Sequence, residues 1–256
     1  MRRLLRRRAQ RRAERVFVAE GVEVVRTGLA AGHVPESVYV DVANADAEVQ
    51  EVAALASSMG ARVLELAPGV IERVAATVTP QPLLAVFPAV DVPAVQATAE
   101  MVVVMADVRD PGNAGTVLRT ADAAGVDAVV ACVGSVDPYN PKTVRSSAGS
   151  IFHVPLVLAD DPVSVLEALG SAGLRRLGTV VRGGQDYTAV DWAVPSALVL
   201  GNEAAGLPPG LPLDGTVVIP MAGRAESLNV GMACAVICFE ALRQRRRATG
   251  GHDGLA

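Results

Sequence analysis

Short, almost unbroken apolar runs recur along the chain and narrow the possible folds more than any other feature. Residues 101–106 read MVVVMA between charged flanks, and AVVAC (128–132), ALVL (197–200) and TVVI (216–219) repeat the pattern. Such a run has no polar side, so as a strand it must be covered on both faces, which is the situation of a parallel sheet wrapped by helices. A further strand is expected at 177–181, with helices near 114–124 and 141–148 and a final helix over 227–247. Hydrophobic residues make up 51% of the chain and aromatics only 3%, so this core must be built from Val, Ala and Leu.

Residues 1–92 carry a second, smaller alternation. An arginine-rich helix precedes a strand at 16–18, and a helix over 20–30 closes at Gly32. Strands at 38–41 and 62–66 flank a helix at 48–59. A short helix at 68–76 and a strand at 83–87 complete the unit. Pro88 and Pro93 mark a linker. The expected fold is therefore α/β throughout, with a small unit at 1–92, a larger one at 98–247 and a flexible tail at 248–256.

The net charge of −4 hides a segregation. Eight arginines fall in the first 15 residues, Arg7, Arg8 and Arg11 among them, and four more lie at 243–247. Residues 16–242 keep 11 basic and 25 acidic side chains. Basic ends on an acidic body suit a polyanion such as RNA, although a solvated arginine-rich tail would show the same charges. The three cysteines, Cys132, Cys234 and Cys238, are odd in number and sit in apolar stretches. They read as buried hydrophobes in a reducing compartment, with no metal site. No apolar run approaches the roughly 18 residues that span a bilayer, and no signal-type core follows the basic start. A cytoplasmic protein without a membrane partner is expected.

Three loops at strand ends hold the chemistry. In DVRDPGNAGTVLR (107–119), Asp110-Pro111-Gly112 forces a turn, Asn113 is placed to cap the next helix, and Arg119 follows nearly two turns later. A capped surface helix with Arg119 paired to Asp122 would look the same. In LVLGNEAAGLP (198–208), Gly201 directly after a buried strand signals a tight turn or the close approach of a ligand. In VVIPMAGRAESLNVGMACAVICFEALRQR (217–245), Ser227 can cap a helix that is apolar on every face for its first three turns. Such a helix must be buried all round, and a second subunit is the natural cover. The glycines include no Gly-x-Gly pair, and the chain has no GxxxxGK[ST], HExxH or CxxC. Hydride transfer, phosphoryl transfer and zinc hydrolysis therefore lose their support.

Together these loops resemble the three motifs of the SpoU (TrmH) family of the SPOUT superfamily of RNA methyltransferases. DPGNAGTVLRTADAAGVDAVV, LVLGNEAAGL and IPMAGRAESLNV carry the likeness in the family's order. FVAEGVEVVRTGL and TVTPQPLLAVF are similar to the N-terminal substrate-binding domain of ribosomal-RNA members. The resemblance implies a C-terminal domain with a deep trefoil knot, an exception to the rule against threaded chains, beside a smaller RNA-binding domain. It implies S-adenosyl-L-methionine held by Gly201, Ile219 and Leu228, with Thr179 and Met221 lining the pocket. Asn113, Arg119, Glu203, Ser227 and Asn229 fall on catalytic positions. Arg145 and Ser146, in PKTVRSSAG, fall near the RNA. A homodimer is implied, and ribosomal RNA is favoured over transfer RNA.

Two departures stand out. Gly231 replaces a usual serine, as close approach of the cofactor or of a partner subunit would require, and Pro82 replaces a glycine after TPQ. The reaction implied is methylation of a ribose 2′-hydroxyl. Arg119 acts either as general base, with help from a substrate phosphate, or as a charged stabiliser of the developing alkoxide. Base methylation by another type of SPOUT enzyme, or RNA binding without catalysis, are the alternatives.

Overall fold

The computed structural model describes residues 1–74 and 79–249. The expected helical residues Ala75 and Ala76 and the tail from Gly250 onward lie outside them. By internal contact the chain divides into two compact units, Met1–Val90 with Asp137–His153, and Asp91–Val136 with Val154–Ala256. The segment Asp137–His153 thus groups with the N-terminal unit, although in sequence it interrupts the larger one.

In the first unit, strands β1 (Val16–Glu20), β2 (Ser37–Asp41), β3 (Arg62–Leu66) and β4 (Leu83–Pro88) form a sheet in the order β1-β4-β2-β3. Only β2 and β3 run parallel; β4 is antiparallel to both its neighbours. Helices α1 (Arg2–Arg6), α2 (Arg8–Glu14), α3 (Val22–Ala30), α4 (Ala47–Ser58) and α5 (Val70–Val74) accompany them. Alternation along the strands sends Val16 and Val18 to one face and Phe17 to the other. The first face packs with Leu4, Leu5, Ile71, Leu84 and Val86. The arginine-rich start is therefore anchored by its two leucines and is not a loose tail.

The rest of the chain adds strands β5 (Met101–Met105), β6 (Ala128–Cys132), β7 (Leu156–Ala159), β8 (Arg175–Thr179), β9 (Gln185–Asp186), β10 (Ser196–Leu200) and β11 (Gly215–Val218). Its helices are α6 (Pro111–Ala124), α8 (Pro162–Ser171) and α9 (Val230–Ala248), while α7 (Pro141–Ser146) lies in the segment that groups with the first unit. The strands form one parallel sheet in the order β7-β6-β5-β10-β8-β11-β9. β5, β6 and β10 are buried along their whole length, as their apolar runs require.

Strand β8 starts two residues earlier than expected because Arg176 is satisfied inside it. Its guanidinium forks onto Asp214 at 2.7 Å for both bonds, and Asp214 also accepts from the Arg176 backbone N–H. That fork holds the Asp214 carboxyl down at about 2. β7 and α8 have no counterpart in the sequence reading. Yet Asp161-Pro162 is a helix start of the ordinary kind, the Asp161 carboxylate capping Val163 and Ser164 with proline at the first turn. Trp192, fully buried, ties the loop after β9 to α9. Its indole N–H donates to the Tyr187 carbonyl, and its backbone N–H donates to Gln244 Oε1.

Candidate active site

Because its strands run parallel, the larger sheet delivers its carboxyl-terminal loops to one edge, where α/β proteins bind small molecules. A cavity of about 530 Å³ lies there, within the range of cofactor pockets. Thr179, Gly201, Ile219, Met221 and Leu228 all line it, together with Glu203, Ser227 and Asn229. Backbone geometry accounts for Gly201. A Cβ there would sit 2.4 Å from the Gly206 carbonyl oxygen, in a turn closed by reciprocal bonds between Asn202 and Gly206. The Asn202 side chain stiffens that turn by accepting from the N–H groups of Ala204 and Ala205.

Hydrogen bonds tie the three loops together. Asn113 Nδ2 donates to Glu203 Oε1 at 2.8 Å, and Asn229 Nδ2 donates to Asn113 Oδ1 at 2.7 Å. The backbone N–H groups of Asp110 and Arg109 point at the same Glu203 carboxylate, at 3.3 and 3.4 Å. Burial alone would raise the Glu203 carboxyl, but the bonds from Asn113, its own backbone, Asp110 and Arg109 outweigh it. The group is held below its ordinary value.

Two caps differ from the sequence reading. Asp110 caps α6, accepting from the Asn113 N–H at 2.9 Å, so the Asn113 side chain is free to join the loops. Asn229 caps α9 through bonds from Gly231 and Met232, and the helix begins at Val230 rather than at Ser227. Ser227 stands exposed at the cavity. Gly231 is explained within the chain, because an added Cβ would meet Thr116 of α6 at 2.8 Å. Neither a cofactor nor a second subunit is needed to account for it.

Arg119 lies on the exposed side of α6, outside the cavity lining, and has no ion pair among the described residues. The pairing with Asp122 is not formed. Arg109 does form one, bidentate to Asp107; nothing in the sequence had singled out either residue. No group of His, Cys, Asp and Glu among the described residues could hold a metal. The cysteines are buried and free, and burial followed by the Asp161 charge pushes the Cys132 thiol up to about 12, which disfavours the thiolate there.

The residues expected near the RNA all belong to the first unit. Arg145 is exposed on α7, and the Ser146 hydroxyl donates back to the Lys142 carbonyl. Arg7 and Arg8 are exposed. Arg11 is a correction. Only 5% exposed, it donates twice to Asp137 Oδ2, at 2.9 and 2.6 Å, and once to the Leu4 carbonyl. With its donors used internally it is not placed to take a phosphate.

A parallel α/β unit with braced loops around a small-molecule cavity defines the class of protein. Residues 100–239 match the SpoU rRNA Methylase family and residues 1–85 the MRM3-like substrate binding domain. The chain belongs to the SpoU rRNA Methylase family. It is 43% identical over 145 residues to the 23S rRNA (guanosine(2553)-2′-O)-methyltransferase RlmP of Bacillus subtilis, a match covering 56% of this chain and 58% of that one. The matched region thus spans little more than half the length of the curated relatives. The AdoMet-bound rRNA methyltransferase of Sinorhizobium meliloti is 33% identical with a TM-score of 0.81, covering 96% of this chain and 92% of that one. The SpoU methyltransferase AviRb of Streptomyces viridochromogenes, in complex with AdoMet, is 30% identical with a TM-score of 0.80 and covers 95% and 96%.

Proposed function

We propose that this chain transfers a methyl group from S-adenosylmethionine to a ribose 2′-hydroxyl of ribosomal RNA, as a cytoplasmic homodimer with the family's knotted cofactor loops. The observation that carries the reading is the Glu203–Asn113–Asn229 brace beside the cavity, with the unpaired Arg119 on the same helix as Asn113. The cavity suits the cofactor. Leu228 and Ile219 offer apolar surface to a purine ring, and the backbone at Gly201 permits close approach. Bound there, S-adenosylmethionine supplies an electrophilic methyl group.

What remains for the protein is positioning and charge. Glu203 receives Asn113, and Asn113 receives Asn229, whose own carbonyl oxygen caps α9. These three groups spend their bonds on one another, so they set the geometry of the loops rather than reach the ribose. The Ser227 hydroxyl stands at the cavity, whereas the Arg119 guanidinium, exposed on α6 outside the cavity lining, is left to meet the acceptor from the surface. An arginine stays protonated, so Arg119 stabilises negative charge developing on the 2′-oxygen while the proton passes to a substrate phosphate or to solvent. A ring-nitrogen acceptor would not call on that charge, which favours the ribose over a base.

Ribosomal RNA is favoured by the N-terminal match and by the name of the B. subtilis relative. The dimer rests on the apolar first turns of α9, where Met232 and Phe239 remain 55% and 46% exposed. Light scattering is expected to give a dimer, and a monomer at micromolar concentration would sink that part. The reaction is tested by incubating the chain with methyl-labelled S-adenosylmethionine and 23S rRNA. Label in alkali-resistant dinucleotides is expected. Label confined to bases would shift the reading to base methylation, and no cofactor binding by calorimetry would leave an RNA-binding protein.

A further inference from the structure

The brace of Glu203, Asn113 and Asn229 depends on the path of the loop after β5, and that loop is gripped unequally on its two sides. Toward β10 its bonds are long. The Arg109 and Asp110 N–H groups reach Glu203 at 3.4 and 3.3 Å, and Asn202 Nδ2 reaches the Asp107 carbonyl at 3.4 Å. Toward the end of β6 they are short. The Val108 N–H donates to the Ser135 hydroxyl at 3.0 Å, and that hydroxyl donates to the Met105 carbonyl at 2.8 Å. The Val136 N–H completes the grip by donating to the Val108 carbonyl at 2.8 Å. The second set has ordinary hydrogen-bond lengths and the first lies beyond them. The Ser135 side therefore sets the path, and Glu203 receives the two N–H groups where that path leaves them.

Ser135 is placed to hold this loop and nothing else. It is 3% exposed, and the Val108 side chain beside it is fully buried. It lies outside the cavity lining. Its own N–H donates to the Cys132 carbonyl at 3.0 Å, which anchors it to the end of β6. Gly134, at φ 105°, lets the preceding turn bend onto the loop, a Cβ there lying 3.3 Å from Asp107 Oδ1. Removing the hydroxyl would take a buried acceptor from the Val108 N–H and a donor from the Met105 carbonyl, a loss that water cannot readily make good.

Two residues beyond Val108, Asp110 caps α6 by accepting from the Asn113 N–H, and the Asn113 side chain bonds Glu203. A shift of the loop at Val108 is thus carried directly into the brace. We infer that Ser135 is a positioning residue for methyl transfer, which through Val108 fixes where the Arg109 and Asp110 N–H groups meet Glu203 and how Asn113 stands beside it.

This rests on the proposed methyl transfer, and one readout of its test is independent of that reaction. Amide hydrogen exchange in the full chain follows the N–H groups of Val108, Arg109 and Asp110. In Ser135→Ala all three should exchange faster, while the amides of β6 keep their wild-type rates. Single-turnover transfer from methyl-labelled S-adenosylmethionine to 23S rRNA reads the consequence. It should slow by up to roughly 10²-fold, the cost of a misplacement of about 1 Å, with calorimetric affinity for the cofactor little changed. The loss should be smaller in a Glu203→Gln background, because both changes act through the same carboxylate. Melting curves establish that each variant is folded. If Ser135→Ala is not, Ser135→Cys, which keeps a weak donor and acceptor in place, carries the same expectations in smaller degree. Wild-type exchange at Arg109 and Asp110, or transfer at the wild-type rate, overturns the inference. So do strictly additive losses with Glu203→Gln, and so does cofactor affinity that falls in step with transfer, as it would if Ser135 only knitted the sheet edge together. Failure of the methyl-transfer reading would appear separately, as wild-type protein that leaves no alkali-resistant label in 23S rRNA, and the exchange rates would still decide what Ser135 holds.

Discussion

The two units bring distant polar groups together by different means. In the larger unit, Asn113, Glu203 and Asn229 meet because β5, β10 and β11 are parallel and end on one edge of the sheet. Topology supplies the juxtaposition, so a few hydrogen bonds between partly exposed side chains suffice to finish it. In the smaller unit no strand order brings residue 137 to residue 11. There the link, across 126 positions of sequence, is a buried ion pair backed by stacked rings. The first kind of site tolerates exposure and glycine-rich loops, whereas the second has to be built as core.

That contrast makes its sharpest prediction at Arg119. It belongs to no brace in either unit, so Arg119→Ala should leave both units folded and cofactor affinity within a few-fold. Methyl transfer should fall on the order of 10²–10³-fold, the usual effect of removing one group that stabilises developing negative charge. Single-turnover rates beside calorimetric cofactor binding make the comparison. If cofactor binding is lost as well, Arg119 is structural and the division between brace and chemistry fails.

Phe152→Ala attacks the core-type link. The ring is 6% exposed and touches Phe17, Phe87 and Gly28. Emptying its socket should destabilise the first unit by about 3–5 kcal/mol. The cofactor cavity, which contains no residue of that unit, should keep its affinity. Thermal unfolding with and without S-adenosylmethionine would show it; equal loss of cofactor binding would break the separation of the two kinds of site.

The same contrast explains what could be read from the sequence. The buried strands of the larger sheet and the three loops at their ends were legible, because uninterrupted apolar runs and strand-end Gly, Asn and Asp are local signals. All five residues named for the cofactor line the one cavity described. The caps were misassigned by a few positions, since Asp110 and Asn113, like Ser227 and Asn229, are all residue types that cap. Only the folded chain shows which side chain turns back on its own helix. The grouping of Asp137–His153 with the first unit left no local trace, because Phe17, Tyr139 and Phe152 are ordinary core residues until their partners are known. Nor did charge reveal that Arg11 is buried while Arg7 and Arg8 are exposed.

Gly231→Ala tests packing between the two helices that frame the site. Helix propensity favours alanine by roughly 1 kcal/mol, but the new methyl would lie 2.8 Å from Thr116 Cγ2 and 2.9 Å from its Cβ. The second of these atoms is fixed close to the α6 backbone and cannot swing away. A net loss of about 1–3 kcal/mol is expected from such overpacking, read as a lower midpoint in urea. The unfolding should be measured across protein concentrations. If the loss appears only where the protein is a dimer, Gly231 serves the subunit interface and the Thr116 explanation is wrong.

The smallest effect concerns the charge at the centre of the loop brace. Glu203 is held below its ordinary value of 4.5, with the bonds from Asn113 and the backbone N–H groups outweighing its burial. A carboxylate depressed in the folded state binds fewer protons there than when unfolded. Its contribution is therefore fully present above about pH 4.5 and is lost as pH falls through the depressed value. Other carboxylates titrate in the same window, Asp214 and Glu240 among them, so wild type alone cannot isolate the effect. Glu203→Gln keeps an acceptor for the Asn113 amide while removing the titration. Its stability should lie below wild type by a constant margin from neutral pH down to about pH 5, and the two curves should converge as the solution is made more acid. A margin unchanged down to pH 3 would mean that the Glu203 charge does not hold the loops. The brace would then rest on the Asn113–Asn229 bond and the Asp110 cap alone.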